Sequence, residues 1–144
     1  TAAGIQEALY SNDGERLQKE IGRLLQQSVS YYDAAGENFY HGFVLGLCAV
    51  MDNRYFVRSN KEAGEGRYDI QLLPRQKDMP GILIELKAAK QLSGEGLKRL
   101  SEAALAQISD RKYDTELKEM GIETIFRYGV AFSGKQVEIA AASQ

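Results

Sequence analysis

Gly81-Ile82-Leu83-Ile84-Glu85-Leu86-Lys87 is the stretch from which the fold can be read. Side chains alternate between the two faces of a strand, so residues two apart share a face. Ile82, Ile84 and Leu86 therefore point one way into apolar packing, and Leu83, Glu85 and Lys87 point the other. Upstream, Arg67-Tyr68-Asp69-Ile70-Gln71-Leu72 has the same alternation. Tyr68, Ile70 and Leu72 make its apolar face, while Arg67, Asp69 and Gln71 share the opposite one. Between the two lies a polar turn, Pro74 to Pro80. If the strands pair through that turn, Asp69 comes close to Glu85 and Lys87. Two carboxylates and an amine then converge on one patch.

Carboxylates gathered on a sheet are costly unless a positive charge offsets them. A divalent cation does this, and Lys87 adds a further positive charge. The chain has one His and one Cys, which excludes the usual Cys/His zinc site. Oxygen donors favour magnesium or manganese instead. On the residues alone a plainer reading also stands, with Glu85 and Lys87 on the solvent face of an edge strand. Against it count the apolar character of the strand and the acid at a matching place in its neighbour.

Outward from this pair, Arg54–Ser59 is rich in aromatic and branched residues and predicts a strand ahead of Arg67–Leu73. The intervening Gly64-Glu65-Gly66 precedes a strand rather than opening a helix, so it reads as a flexible turn and not a phosphate cradle. Leu17, Ile21, Leu24 and Leu25 form a helical stripe within Ser11–Ser30, with Ser11-Asn12-Asp13 as N-cap candidates. A second helix is expected from about Glu37 to Met51. It is apolar nearly all round and is therefore expected to be central in the fold. Cys48 within it reads as a small buried hydrophobe. A long helix is expected over about Gly94–Met120, with a possible break near Tyr113 and Gly121 closing it. Two strands follow, Thr124–Phe132 and Gln136–Ala142, around Ser133-Gly134-Lys135. The order describes a mixed α/β sandwich: an initial three-strand meander and one crossover helix.

The 144 residues suit one domain, and no apolar run approaches the length of a membrane span. The start, Thr1-Ala2-Ala3, carries no secretory signal and no initiator Met, which suggests a piece of a longer polypeptide. A reducing cytoplasm fits the single cysteine. The net charge of −2 argues against a protein that coats nucleic acid. It does not exclude an enzyme that grips a few phosphates. Residues 51–90 carry eight Lys and Arg against six Asp and Glu, and the candidate chemistry falls inside this locally basic stretch.

Asp69 followed by Ile84-Glu85-Leu86-Lys87 resembles the D…(D/E)-x-K signature of the PD-(D/E)XK nuclease superfamily. The wider string is similar to a nuclease-like domain found at the C-terminal end of bacterial proteins with an N-terminal AAA-type ATPase. Residues 37–43, 59–70, 107–108 and 128–135 carry that likeness, over about residues 10–140. The resemblance implies a restriction-endonuclease-like αβββαβ core, with a mixed central sheet flanked by helices. Residues 1–30 would then be an N-terminal helical extension and 31–144 the nuclease-like domain. It also implies roles. Asp69 and Glu85 would bind Mg²⁺ or Mn²⁺ with the backbone carbonyl of Leu86, and Lys87 would activate the attacking water. Tyr68 stands where the motif is named for a Pro, a common departure.

Glu37 occupies the place of an additional acid facing the metal, or is a favourable charge at a helix start. Gln107, expected on the inward stripe with Ala103 and Leu100, matches the glutamine of the RecB-like branch, or is a structural glutamine. His41, four residues after Glu37 and so on its helix face, and Arg67 are candidate substrate contacts. Tyr113 follows Gln107 by six residues where the RecB-like spacing is four, so no role carries over to it. Two functions remain open: metal-dependent cleavage of nucleic acid, DNA before RNA, and a non-catalytic nucleic-acid-binding or interaction module serving the ATPase. A toxin or defence effector working within the full-length protein is a weaker third.

Overall fold

The computed structural model describes residues 2–27, 36–49, 54–62, 67–108 and 111–143. Among them, three helices come first: α1 (Ala2–Tyr10), α2 (Gly14–Gln27) and α3 (Glu37–Ala49). Strands β1 (Tyr55–Glu62), β2 (Arg67–Pro74) and β3 (Gly81–Ala88) follow. Then come α4 (Gly94–Ala106), α5 (Arg111–Glu119), β4 (Ile125–Ser133) and β5 (Gln136–Ser143). The strands make one mixed sheet in sequence order. β1, β2 and β3 form an antiparallel meander, β3 pairs with β4 in parallel, and β5 returns antiparallel. This is the expected α/β architecture: a meander, a helical crossover and a closing hairpin.

Strand parity divides the core in two. Ile70, Leu72, Ile82, Ile84 and Leu86 face the layer of α1, α2 and α3, together with Tyr128, Val130 and Phe132. On the other face, Leu73 and Leu83 meet Tyr113, Leu117, Ile122 and Ile125 in a smaller cluster. Leu83 is thus buried on the side that also carries Glu85. The plainer reading of that side as a solvent face does not hold for β3, which is buried on both faces as suits a strand inside a mixed sheet.

Tyrosine hydroxyls tie the helices to the sheet. Tyr128 donates to the Leu9 carbonyl at 2.8 Å and fixes the end of α1. Tyr40 of α3 stacks on Phe132 and donates to the Gly134 carbonyl at 2.8 Å. Tyr113 of α5 lies within 2.7 Å of the Leu72 carbonyl and 2.9 Å of that of Ile82. Burial drives its hydroxyl far above the ordinary tyrosine pKa, so it stays a neutral donor.

Several details depart from expectation. Residues 2–10 form an additional helix, and α1 and α2 both contribute to the larger core. The helix α3 is not central: it buries a single stripe, Tyr40, Val44 and Cys48, and leaves Phe39 41% exposed. It belongs to an outer layer, with the sheet on one side only. Cys48 is buried as expected, and burial pushes its thiol up to about 12. The single long helix is two helices, α4 and α5, and Tyr113 lies inside the second. Gly121 does close α5, at φ +80°, with Ile122 N–H donating to the Leu117 carbonyl and Gly121 N–H to that of Lys118. These two bonds satisfy helix-end carbonyls as in a Schellman cap. The expected turn at 64–66 lies outside the described residues.

Among the described glycines, Gly129 marks the tightest approach of helix backbone to sheet. A Cβ there would lie 2.2 Å from the Ser101 carbonyl oxygen and 2.4 Å from the Leu105 nitrogen. Both are backbone atoms and cannot turn aside. Gly129→Ala is therefore expected to force α4 off β4 and to cost at least about 2 kcal/mol. Urea unfolding of the variant beside the wild type measures this, and a change within 0.5 kcal/mol by the scale of ordinary surface substitutions would refute it.

Candidate functional site

The antiparallel register of β2 and β3 sets Asp69 directly opposite Glu85. The same rung continues to Asn60 on β1 and Gly129 on β4. Lys87, two residues along β3, shares the face of Glu85 at the end of the strand. Glu85 is 3% exposed, while Asp69 and Lys87 are half-buried. Glu85 sits so deep because its neighbour Gly129 has no side chain and lets α4 descend onto the rung. A carboxylate held there is costly as an anion unless donors or a cation compensate it.

The next rung of this face is also polar. It runs from Arg58 through Gln71 and Leu83 to Arg127. Arg58 Nε donates to Gln71 Oε1 at 2.7 Å, and its two terminal nitrogens reach Glu116 on α5, each at 3.1 Å. Arg127 meets both oxygens of Asp114, also on α5, at 2.9 and 3.1 Å. A bidentate Arg58–Glu116 pair and a single Arg127 nitrogen shared between both oxygens of Asp114 therefore hold α5 across the sheet, one at each flank of Tyr113. The sequence pattern puts Gln71 on the face of Asp69 but does not single out Arg58 or the rung position of Asn60. The signal was present, because Arg58 and Asn60 have the same two-residue spacing as Gln71 and Asp69.

A family model for the PD-(D/E)XK nuclease superfamily matches residues 35–142, which span all five strands and the helices α3 to α5. The chain belongs to the PD-(D/E)XK nuclease superfamily. No curated protein matches it significantly. For a member of this superfamily the ordering of β2 and β3 is the telling part, since it brings the Asp of one strand and the Glu-x-Lys of the next onto one face.

The remaining sequence candidates of this nuclease-family domain are placed less uniformly. Leu86 turns its side chain to the opposite layer, so only its backbone belongs to the site. Tyr40 places the first turn of α3 at Phe132 and Gly134, and Phe132 is level with Ala88 at the end of β3. Glu37 begins that turn, so its backbone lies at the Lys87 end of the sheet, on the α3 side. The side chains of Glu37 and Arg67 lie outside the described ones. Gln107 is not on an inward stripe. It caps the C-terminus of α4 and is exposed; the buried stripe of α4 is Leu97, Ser101 and Ala104. It nevertheless follows Leu105, which rests on the Gly129 rung beside Glu85. Among the described residues no group of three or more His, Cys, Asp and Glu is gathered to hold a metal. Asp69 and Glu85 form a pair, and hard oxygen donors of this kind suit Mg²⁺ or Mn²⁺ with water completing the shell.

His41 is half-buried, and its pKa is lowered chiefly by that burial, while the charge of Asp69 works against the shift. The folded protein thus holds His41 neutral more firmly than the unfolded chain does. Protonation favours unfolding, and the contribution of neutral His41 to stability is lost as pH falls through the ordinary histidine range. With a single histidine in the chain, one imidazole signal reports it. In metal-free protein it is expected to titrate below the ordinary histidine value, and lower still in Asp69→Asn. A midpoint raised by that substitution would show that the two groups do not sense each other as described.

Proposed function

We propose that this domain hydrolyses phosphodiester bonds in nucleic acid, DNA before RNA, at a metal site formed by Asp69 and Glu85. The observation that carries the reading is the direct opposition of Asp69 and Glu85, with Lys87 on the same face. Asp69, Glu85 and the Leu86 carbonyl would hold one or two Mg²⁺ or Mn²⁺ ions, with Glu37 as a further acid. Such an ion, when bound, would supply positive charge at the scissile phosphate and lower the pKa of the attacking water. Lys87, at the mouth of the site, orients the attacking water and counters charge developing on the phosphate. Glu85, walled by α4, keeps its carboxylate orientation while solvent and substrate approach from the Lys87 end. Gln107 at the end of α4, His41 on α3 and Arg67 on β2 are proposed as substrate-facing residues around that mouth.

A second reading has its own support in the net charge of −2: a non-catalytic module that binds nucleic acid or another protein. In either case we place the domain in the cytoplasm, serving an N-terminal AAA-type ATPase of a longer chain. No helix among the described residues is long and apolar enough to cross a membrane.

Supercoiled plasmid, linear duplex, single-stranded DNA and RNA, each with Mg²⁺, Mn²⁺ or chelator, separate the readings. Cleavage that needs the ion is expected, with losses of about 100-fold or more in Glu85→Ala and Lys87→Ala. Cleavage retained in both variants would remove the assignment. Where no substrate is cut, metal binding that depends on Asp69 and Glu85 upholds the site, and its absence leaves the interaction module.

A further inference from the structure

We infer that Gln71 is a positioning residue for the Asp69–Glu85 pair, holding those carboxylates through its side-chain NH₂ while Arg58 and Glu116 fix its orientation. This rests on the reading of Asp69 and Glu85 as the metal-holding pair, and the contact itself can be tested without metal.

The chemistry of arginine supplies the first step. A guanidinium has only donors, so the Gln71 atom 2.7 Å from Arg58 Nε must be the amide oxygen. The amide is planar, and its NH₂ group must then point away from β1. Arg58 in turn is held by both oxygens of Glu116 at 3.1 Å, which keeps its Nε–H facing Gln71, and a flipped amide would set donor against donor. On the far side from β1, Gln71 is flanked on this face by Asp69 and Leu73 along β2 and by Leu83 and Glu85 on β3. The leucines accept nothing. Among these described side chains the acceptors are Asp69 and Glu85.

Burial supplies the second step. Gln71 is 1% exposed and Glu85 is 3% exposed. A buried carboxylate is held in place by hydrogen bonds from donors around it, and a buried amide NH₂ needs acceptors. The two groups are diagonal neighbours on adjacent strands, within reach of long side chains. A glutamine at this place costs more than the leucine that the apolar core would otherwise take, and the carboxylate pair is what repays it. The relay then runs from Glu116 on α5 through Arg58 on β1 to Gln71 on β2 and so to the site.

The test has two arms. In metal-free protein at fixed pH, the side-chain NH₂ signals of Gln71, assigned by their loss in Gln71→Leu, are expected to be shifted and slow to exchange. Glu85→Gln or Asp69→Asn should move them well beyond the effect of Lys98→Met, a change at an exposed residue of α4. Signals that neither carboxylate substitution moves more than Lys98→Met would overturn the inference. In the second arm, Gln71→Leu is expected to weaken Mg²⁺ binding by roughly ten-fold or more while keeping its melting temperature. Mg²⁺ affinity within two-fold of the wild type would remove the positioning role. Should Gln71→Leu fail to fold, Gln71→Met takes its place. A wild-type protein that binds no Mg²⁺ defeats the metal reading of the pair, and the amide contact is then decided by the spectra alone.

Discussion

The fixed point of this structure is a carboxylate buried in the central strand of the sheet. Glu85 stands between β2 and β4 under α4, at a position where an apolar side chain would cost nothing. A charge there demands company. Asp69 opposite adds to that demand, and Lys87 beside it with the neighbouring rung of Arg58, Gln71 and Arg127 supplies the company on the same face. The opposite face of β2, β3 and β4 is dominated by Ile70, Leu72, Ile82, Ile84, Leu86, Val130 and Phe132, so the sheet separates a structural side from a chemical one. The absence of a side chain at Gly129 completes the arrangement, because it allows α4 to roof the rung.

The two faces are held by different forces. The larger core joins α1, α2 and α3 to the sheet through aliphatic and aromatic burial. The smaller cluster is limited to a few residues, and α5 relies as much on directed bonds: Tyr113 to two strand carbonyls, Glu116 to Arg58 and Asp114 to Arg127. Ion pairs at partly exposed positions add only about 0.2–1 kcal/mol each. Their larger effect here is geometric, since they set the angle at which α5 crosses four strands. Packing alone leaves a helix free to slide, whereas directed ion pairs at both flanks do not.

What the sequence made legible follows the same division. Strand parity is a strict property of extended backbone, and it brings Asp69 close to Glu85 once the two strands pair; their direct opposition is set by the register. The placement of Gln107 could not be read in this way. Helical stripes are recognised by large apolar residues, and Leu100 drew the inward face of α4 to the wrong side. The true contact face includes Ser101 and Ala104, because the helix meets a glycine so closely that only small residues fit. Where backbones touch, hydrophobicity stops reporting burial. The same blindness explains α3, whose evenly apolar sequence suggested a central helix although only one stripe is covered. Arg58 was hidden for another reason: a charged residue in an edge strand looks like solvent decoration until a partner such as Glu116 is known.

The topology also separates the site's assembly in time. Asp69 and Glu85 meet across a short hairpin, whereas β3 joins β4 only after the two crossover helices, pairing Ile82 with Phe126. Contacts between distant parts of a chain close more slowly than local ones. The like charges are therefore brought face to face while still open to water, where their repulsion is weakest. On that order of closure, the low-dielectric roof of α4 and the grip of α5 would arrive afterwards, as the long loop closes. Such an order of chain closure would spare the folding protein its most expensive electrostatic step until the groups that compensate it are in place.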